Sequence, residues 1–346
     1  MKKQNESMID LRSDTVTRPT SEMLKAMISA EVGDDVFESD PTVNKFQDKM
    51  AAMFGMEAGL FVPSGTMSNQ LSIKVLTEPG DEILIDEKGH IFNYETSATP
   101  ALSGVQVKTL QGSKGKLNRG VLENNVRGNF DWEPKTKVVC IENTTNKGGG
   151  VCYSKEELSE IKEFADDHNL MVHLDGARIW NAMTATGIES EYFGKIADTI
   201  SICFSKGLGA PVGSMLLSSK ENIAKARRYR KMWGGGMRQV GLLAAAAEYA
   251  VDYHWDLLKE DHRRAREVAE VISECSKLSV DMDSLQTNIL IFDVLEADAA
   301  SALKKLENEG IVMIPFGPKT IRATFYFEIG DEEVRKVNQA LKKLFS

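Results

Sequence analysis

Short, almost continuously apolar runs alternate along most of this chain with segments of helical periodicity. The strand-like runs lie at 82–86, 105–110, 136–142, 170–175, 199–204 and 214–218. Strands buried on both faces and linked by helices form a mostly parallel sheet with helices on each side. The alternation therefore predicts an α/β fold with a mostly parallel central sheet.

Two helical segments carry recognisable end signals. The segment at 41–54 has Asp40 as an expected N-cap, Pro41 at the first helical position and Gly55 after its last apolar residue. The segment at 154–168 opens with a capping-box pattern. These signals place helices between the predicted strands.

The pattern changes after about residue 250, where a long charged helix is predicted over 256–278. Strand-like and helical segments follow to the C-terminus and predict a second, smaller α/β domain. We expect an N-terminal segment (1–20) that contributes to the active site, a large domain (21–250) and a small domain (251–346). A chain of 346 residues suits two domains.

Composition narrows the function classes. The chain has 42 Lys and Arg against 51 Asp and Glu, so its net charge of −9 argues against a nucleic-acid binder. No apolar run reaches the ~20 residues that span a bilayer, and Met1–Asp14 has no apolar stretch typical of a secretory signal. The four cysteines form no CxxC pair, and the histidines have no metal-ligand spacing. We expect a cytoplasmic protein without a metal.

Two charged residues follow predicted strands at the sheet edge where ligands bind in α/β folds. Asp175 ends the run LMVHLD, and Lys206 follows the run that starts at Thr199. Taken alone, Asp175 could equally be an ordinary residue that caps the next helix or pairs with Arg178. Taken alone, Lys206 could be an exposed loop lysine. Together they are typical of a pyridoxal phosphate site, where the lysine forms an imine with the cofactor and the acid holds the pyridine nitrogen.

Two further segments support this interpretation more weakly. Ser64, Gly65 and Thr66 precede a helical stretch and offer backbone N–H groups and hydroxyls to a phosphate, although an ordinary N-cap looks the same. His90 follows a predicted strand and is placed to stack on a flat cofactor ring, but it is equally a loop histidine.

Eight segments together resemble the low-specificity L-threonine aldolases of the β-eliminating lyase group, which are fold-type I pyridoxal phosphate enzymes. These segments are IDLRSDTVTRPT (9–20), EVGDDVFESDPT (31–42), LFVPSGTMSNQ (60–70), HIFNYE (90–95), IENTTN (141–146), VHLDGARIWNA (172–182), FSKGLGAPVGS (204–214) and RKMWGGGMRQVG (230–241). The resemblance implies the fold-type I architecture and an amino acid as substrate. It also implies a homotetramer with shared active sites.

The resemblance also implies roles around the cofactor. Lys206 is the expected imine-forming lysine, Asp175 the partner of the ring nitrogen, and His90 the stacking residue. The other expected cofactor contacts are Arg178 at the ring oxygen, Ser64, Gly65 and Thr66 at the phosphate, and Arg238 and Lys231 reaching the phosphate from a neighbouring subunit.

On the substrate side, Ser13 and Arg322 are expected to bind the carboxylate, together with Arg178, and Glu95 and Thr145 to lie near the side-chain hydroxyl. The implied reaction cleaves the Cα–Cβ bond of L-threonine, L-allo-threonine or a related β-hydroxy-α-amino acid into glycine and an aldehyde. The base is a water held by His90 or Glu95, with both left open. Thr145 stands where the family usually has histidine, and Phe37 where it usually has tyrosine.

Three alternatives remain open. Because Thr145 and Phe37 depart from the family pattern, the reaction could instead be β-elimination or racemisation of a related amino acid with the same cofactor. A non-enzymatic binding module would need a degenerate site, yet Lys206, Asp175, Arg178 and His90 are all present. A dinucleotide-dependent oxidoreductase would need GxGxxG after a strand, and the triple glycines at 148–150 and 234–236 lack that spacing.

Overall fold

The computed structural model describes residues 8–128 and 130–346. The strands in this part of the chain are β1 (Ile9–Asp10), β2 (Ala58–Val62), β3 (Asp81–Asp86), β4 (Gln106–Leu110), β5 (Lys135–Glu142), β6 (Met171–Gly176), β7 (Thr199–Cys203), β8 (Ser214–Ser218), β9 (Leu278–Val280), β10 (Ile289–Val294), β11 (Ile311–Val312), β12 (Ile314–Pro315) and β13 (Thr320–Thr324).

The helices between these strands vary from one turn to more than four turns in length. They are α1 (Ser21–Ile28), α2 (Pro41–Met53), α3 (Gly65–Leu76), α4 (His90–Tyr94), α5 (Arg119–Glu123), α6 (Lys155–Asp167), α7 (Ile179–Thr186), α8 (Ser190–Ile196), α9 (Lys220–Met232), α10 (Gly241–His254), α11 (Leu258–Glu274), α12 (Ala299–Asn308) and α13 (Asp331–Phe345). No helix within the described residues has the length and hydropathy needed to cross a bilayer.

A seven-stranded sheet in the order β2-β8-β7-β6-β5-β3-β4 forms the centre of the molecule. The five strands from β7 to β4 are mutually parallel, whereas β8 runs antiparallel to both of its neighbours. The six strand-like runs of the sequence all lie in this sheet. The predicted mostly parallel α/β fold is therefore confirmed. The sequence pattern missed β2 because only its last three residues form an apolar run.

The ends of α2 follow from side-chain chemistry. The Asp40 carboxylate accepts a hydrogen bond from the N–H of Val43 at 3.1 Å, and Pro41 occupies the first turn, where no N–H is needed. Gly55 follows the helix with φ +64°, a left-handed conformation that a glycine adopts without strain. The same Asp40 carboxylate accepts from the N–H of Gly241 at 2.8 Å, which ties α2 to the start of α10.

A second, smaller sheet in the C-terminal part of the chain has the order β12-β13-β10-β9 and is antiparallel. Helices α11, α12 and α13 contribute to a separate hydrophobic core with it. The N-terminal strand β1 pairs in parallel with β11, and Leu11 is fully buried in this second core. The chain start therefore packs with the C-terminal part before it returns to the large sheet at Asp14–Thr17.

Candidate active site

Polar residues gather where β5, β6 and β7 end at one edge of the large sheet. Glu142 ends β5 and lies directly opposite Asp175 of β6, and Lys206 lies in the turn after β7. The charge of Asp175 raises the pKa of His90 and the charge of Lys206 lowers it, so both charges act at this ring. The acid, the lysine and the histidine that the sequence singled out thus lie at the same edge of the sheet.

Asp175 is a buried carboxylate whose two oxygens have different partners. Its Oδ1 accepts from the N–H of Ala177 at 3.1 Å, and its Oδ2 accepts from Nδ2 of Asn69 on α3 at 2.9 Å. The ordinary alternative of an ion pair with Arg178 does not occur. The guanidinium of Arg178 is bound elsewhere, so no cation of the described chain forms an ion pair with Asp175.

His90 and Glu95 form a hydrogen-bonded pair at the ends of α4. Nδ1 of His90 lies 3.0 Å from Oε1 of Glu95, whose side chain is fully buried. Burial acts to lower the pKa of His90, but the hydrogen bond to Glu95 and the charge of Asp175 outweigh it and raise that pKa above its ordinary value. Gln70 donates to Oε2 of Glu95 at 2.7 Å and fixes this carboxylate.

Glu142 is an acidic residue of the site that the sequence pattern did not reveal as functional. Burial and the nearby charge of Asp175 raise the pKa of Glu142 to about 7, and its oxygens accept from the N–H groups of Asn146 and His90. Its position at the end of β5, opposite Asp175, could have marked Glu142 as a site residue. Glu142 therefore exchanges a proton near neutral pH.

Ligand atoms of His90, Glu95 and Asp175 lie within 4.8 Å of one another, a spacing that admits a metal ion. Hydrogen bonds already account for the arrangement. Nδ2 of Asn69 donates to Oε1 of Glu95 at 2.8 Å as well as to Asp175, so an amide group bridges the two carboxylates. We interpret this group as a polar network and not as a metal centre.

The N-terminus of α3 faces the edge of the sheet with a tight approach to β7. Oγ of Ser64 caps the helix by accepting from the N–H of Met67 at 3.2 Å. Gly65 and Thr66 follow in the first turn, where backbone N–H groups have no partner inside the helix. A Cβ at Gly65 would lie 2.8 Å from Sγ of Cys203, so a larger residue there would require that side chain to move.

Lys206 is held by its backbone and not by its side chain. Its carbonyl oxygen accepts from Oγ1 of Thr17 at 3.0 Å and from the N–H of Gly209 at 2.8 Å. Among residues 8–128 and 130–346, no hydrogen bond or ion pair engages the half-buried ammonium group. The amine is consequently available for a covalent partner.

Arg322, on β13 of the smaller sheet, is a buried cation with few partners. Its Nη1 donates to Oδ1 of Asn146 at 2.8 Å and its Nη2 to the carbonyl of Arg12 at 3.0 Å, while Nε has no partner. Burial and the positive charge of Arg178 lower the pKa of Arg322 to about 10. No carboxylate of the described chain forms an ion pair with it, which favours an anionic ligand.

Within the described chain, Arg178 pairs with Asp14. Its Nε and Nη2 donate to the carboxylate of Asp14 at 2.8 and 2.6 Å, a buried bidentate pair. Asp14 also accepts from Nδ2 of Asn288 at 3.3 Å. Ser13, directly before it, accepts from the N–H and hydroxyl of Thr15. The motif LRSD therefore contributes Asp14, which the sequence analysis did not single out.

Four other residues form no hydrogen bond or ion pair with these site groups among the described residues. Arg238 is exposed and pairs with Asp34 at 2.9 Å, and Lys231 is exposed near the end of α9. Thr145 is buried, with its N–H bound to the carbonyl of Val151 at 3.1 Å. The side chain of Phe37 is exposed. Among the described residues, neither Arg238 nor Lys231 forms a hydrogen bond or ion pair with Ser64, Gly65 or Thr66.

The donor set fits pyridoxal phosphate. A primary amine without a partner suits an imine bond to an aldehyde, and a buried carboxylate suits a protonated ring nitrogen. The unpaired N–H groups at the start of α3, with the narrow approach at Gly65, suit a phosphate. Together with the orphaned Nε of the Arg322 guanidinium, these groups suit a cofactor and a carboxylate-bearing substrate side by side.

Solved structures of several enzymes have the same fold. A threonine aldolase from Leishmania major superposes with a TM-score of 0.86 at 22% identity, over 98% of this chain and 100% of its own. A serine palmitoyltransferase from Sphingomonas wittichii superposes with a TM-score of 0.76 at 18% identity, over 97% and 86% of the two chains. The chain is thus a fold-type I protein, as the resemblance implied.

Other relatives have much higher sequence identity to this chain than these solved structures have. The family model described as Beta-eliminating lyase matches residues 10–295. A probable low-specificity L-threonine aldolase from Arabidopsis thaliana is 41% identical over 97% of both chains. The low specificity L-threonine aldolase of Escherichia coli is 39% identical over 95% of this chain and 97% of its own. The chain belongs to the β-eliminating lyase family.

Proposed function

We propose that this protein is a pyridoxal phosphate-dependent aldolase that cleaves L-threonine, L-allo-threonine and related β-hydroxy-α-amino acids into glycine and an aldehyde. The proposal rests on the unpartnered amine of Lys206 at the same sheet edge as the buried carboxylate of Asp175, where the charges of both act on His90. It is supported by the names of relatives that are 39–41% identical over nearly the whole chain.

The residues that would hold the cofactor are those at the edge of the large sheet. Lys206 offers the amine, Asp175 the carboxylate for the ring nitrogen, His90 a ring to stack on, and Arg178 a donor for the ring oxygen. Ser64, Gly65 and Thr66 offer hydrogen-bond donors for the phosphate. When bound, pyridoxal phosphate supplies an electron sink that accepts the electrons of the bond that breaks.

Arg322 and Ser13 would bind the substrate carboxylate. Arg322 is buried, carries no ion pair with a described carboxylate and has a free Nε, so an incoming carboxylate gains charge-assisted hydrogen bonds there. A substrate anchored in this way has its Cα–Cβ bond set in one orientation. Orientation of the scissile bond is a major source of rate acceleration.

The side-chain hydroxyl of the substrate must lose a proton as the aldehyde forms. The hydrogen-bonded pair of His90 and Glu95 would hold the water that accepts this proton, since both groups lie beside Asp175. Glu142, with a pKa raised to about 7, contacts the backbone N–H of His90 and can take up or release a proton near neutral pH. Thr145 fills the position where the family usually has histidine.

A product assay tests the proposal. Purified protein loaded with pyridoxal phosphate should convert L-threonine into equal amounts of glycine and acetaldehyde. Ammonia with a 2-oxo acid would instead indicate β-elimination, and D-allo-threonine, the product of inversion at Cα of L-threonine, would indicate racemisation. Lys206→Ala should abolish both turnover and the borohydride-reducible imine. Substantial aldolase activity in that variant would refute the role of Lys206.

We also propose that the protein works in the cytoplasm as a homotetramer in which Arg238 and Lys231 serve the site of a neighbouring subunit. Both side chains are exposed on a single chain, near the exposed apolar Met232. The domain limits proposed are 1–20, 21–250 and 251–346, although α10 continues across residue 250. Sedimentation measurements and the cofactor affinity of Arg238→Ala would test the shared site.

A further inference from the structure

A line of buried polar side chains runs from Asp175 away from the site, between α3 and the face of the sheet formed by β6 and β7. Nδ2 of Asn69 donates to Oδ2 of Asp175 at 2.9 Å, and Nε2 of His173 lies 3.1 Å from Oδ1 of Asn69. Nδ1 of His173 lies 2.9 Å from Oγ1 of Thr199 on the neighbouring strand. All four residues are at most 2% exposed. None of the roles assigned above uses Asn69, His173 or Thr199.

The direction of each hydrogen bond in this line follows from its carboxylate end. Nδ2 of Asn69 faces two carboxylate oxygens, of Asp175 at 2.9 Å and Glu95 at 2.8 Å, and only the NH₂ group can donate to both. Its Oδ1 therefore faces His173 and must accept, so Nε2 of His173 carries the proton.

The charge of His173 is fixed by its surroundings. Burial lowers the pKa of His173 to about 4, so the ring is neutral near pH 7. A neutral ring that donates at Nε2 has an acceptor at Nδ1, and the hydroxyl of Thr199 then donates to it. The line is thus a set of aligned neutral dipoles that all point their donor ends toward Asp175.

We propose that Asn69 and His173 are positioning residues that hold Asp175 charged and correctly oriented toward the ring nitrogen of the cofactor. This inference rests on the proposed function. The Asn69 amide stabilises the charged form of Asp175 and separates it from Glu95, while His173 prevents the amide from rotating. A carboxylate that must keep a ring nitrogen protonated needs such donors, because burial alone favours its neutral form.

Replacing Asn69 with Leu keeps the approximate volume and removes both donors. We expect the dissociation constant for pyridoxal phosphate, measured by absorbance titration, to rise by about 10- to 100-fold, as for loss of a hydrogen bond to a charged group. We also expect the pH dependence of the bound cofactor's visible spectrum to shift. Ser68→Ala is the matched control, because Ser68 precedes Asn69 on α3 and its buried hydroxyl has no partner.

Two variants of His173 separate positioning from mere packing. His173→Gln keeps a donor for Oδ1 of Asn69 and should stay within about threefold of the wild-type affinity, whereas His173→Leu should lose about tenfold. Independently of the cofactor, ¹⁵N NMR of the unloaded protein should show His173 neutral with the proton on Nε2. A protonated ring or the Nδ1–H tautomer would overturn the proposed network.

The outcomes distinguish this inference from the function on which it rests. If the wild-type chain binds no pyridoxal phosphate, the proposed function fails and takes the inference with it. If the wild type binds it but Asn69→Leu retains the wild-type affinity and spectrum, the inference alone is wrong. Equal losses in Ser68→Ala and Asn69→Leu would show that general disturbance of α3 is responsible, and would also overturn it.

Discussion

Asp261 lies on α11 with its side chain fully buried and neither carboxylate oxygen hydrogen-bonded. Burial raises the pKa of Asp261 from 3.8 to about 8, against the opposing charge of Arg264. Asp14, the partner of Arg178, adds a further repulsion. A carboxyl group in this environment is protonated in the folded protein and ionised in the unfolded chain at neutral pH.

The sign and size of the effect on stability follow from this difference. Between pH 4 and pH 8 folding takes up a proton at Asp261, so its contribution to the free energy of unfolding becomes less favourable as pH rises and levels off above the folded-state pKa. The equilibrium constant for folding falls about tenfold per pH unit. The free energy of unfolding therefore decreases by about 4 kcal/mol between pH 5 and pH 8. Asp261→Asn keeps the shape and cannot ionise, so it should escape this loss.

Urea unfolding of the cofactor-free protein at pH 5, 6, 7, 8 and 9 measures the effect at a fixed protein concentration. The stability difference between Asp261→Asn and wild type should grow with pH up to about 8 and then stay constant. Glu270→Gln, at an exposed position of the same helix whose charge does not contribute to the raised pKa of Asp261, is the control and should show no such trend. A difference that does not depend on pH would refute the assignment of a buried, protonated carboxyl.

Two further predictions concern the substrate site and the thiols. Arg322→Gln should raise the KM for L-threonine by about 10- to 100-fold and leave cofactor affinity unchanged, because it removes charge-assisted hydrogen bonds to the carboxylate. Steady-state kinetics and a cofactor titration measure these two quantities. An unchanged KM would contradict the role of Arg322. The four cysteines are buried and free, and burial raises the pKa of each thiol. None should react with iodoacetamide at pH 8 within an hour in the folded protein, whereas all should react in urea, as mass spectrometry would record.

The sequence predicted the large sheet well because its strands are continuous apolar runs that need no knowledge of the rest of the chain. Asp175 and Lys206 stood out for the same reason, as charges that end such runs at the edge where parallel strands present their carboxyl ends. The strand β2 was missed, since Ala58 and Gly59 are only half buried and carry little β signal.

Partners across long sequence separations were beyond sequence reasoning. Arg178 pairs with Asp14, 164 positions away, and no local pattern distinguishes that pair from an ion pair with nearby Asp175. The same holds for Asn69, whose amide joins Asp175 and Glu95 from a helix where an asparagine is unremarkable. Glu142 was visible only as the end of a strand, because its raised pKa depends on burial and on the register of β5 and β6.

Residues 9–12 pack against the C-terminal part of the chain next to Arg322, the arginine proposed to bind the substrate carboxylate. Ile9 pairs with Ile311, and Arg322 donates to the carbonyl of Arg12, 310 positions earlier. During synthesis on the ribosome, the lysine and the acid at the sheet edge therefore emerge long before the arginine that would bind a carboxylate. A nascent or C-terminally truncated polypeptide would present a reactive amine without the means to select an amino acid.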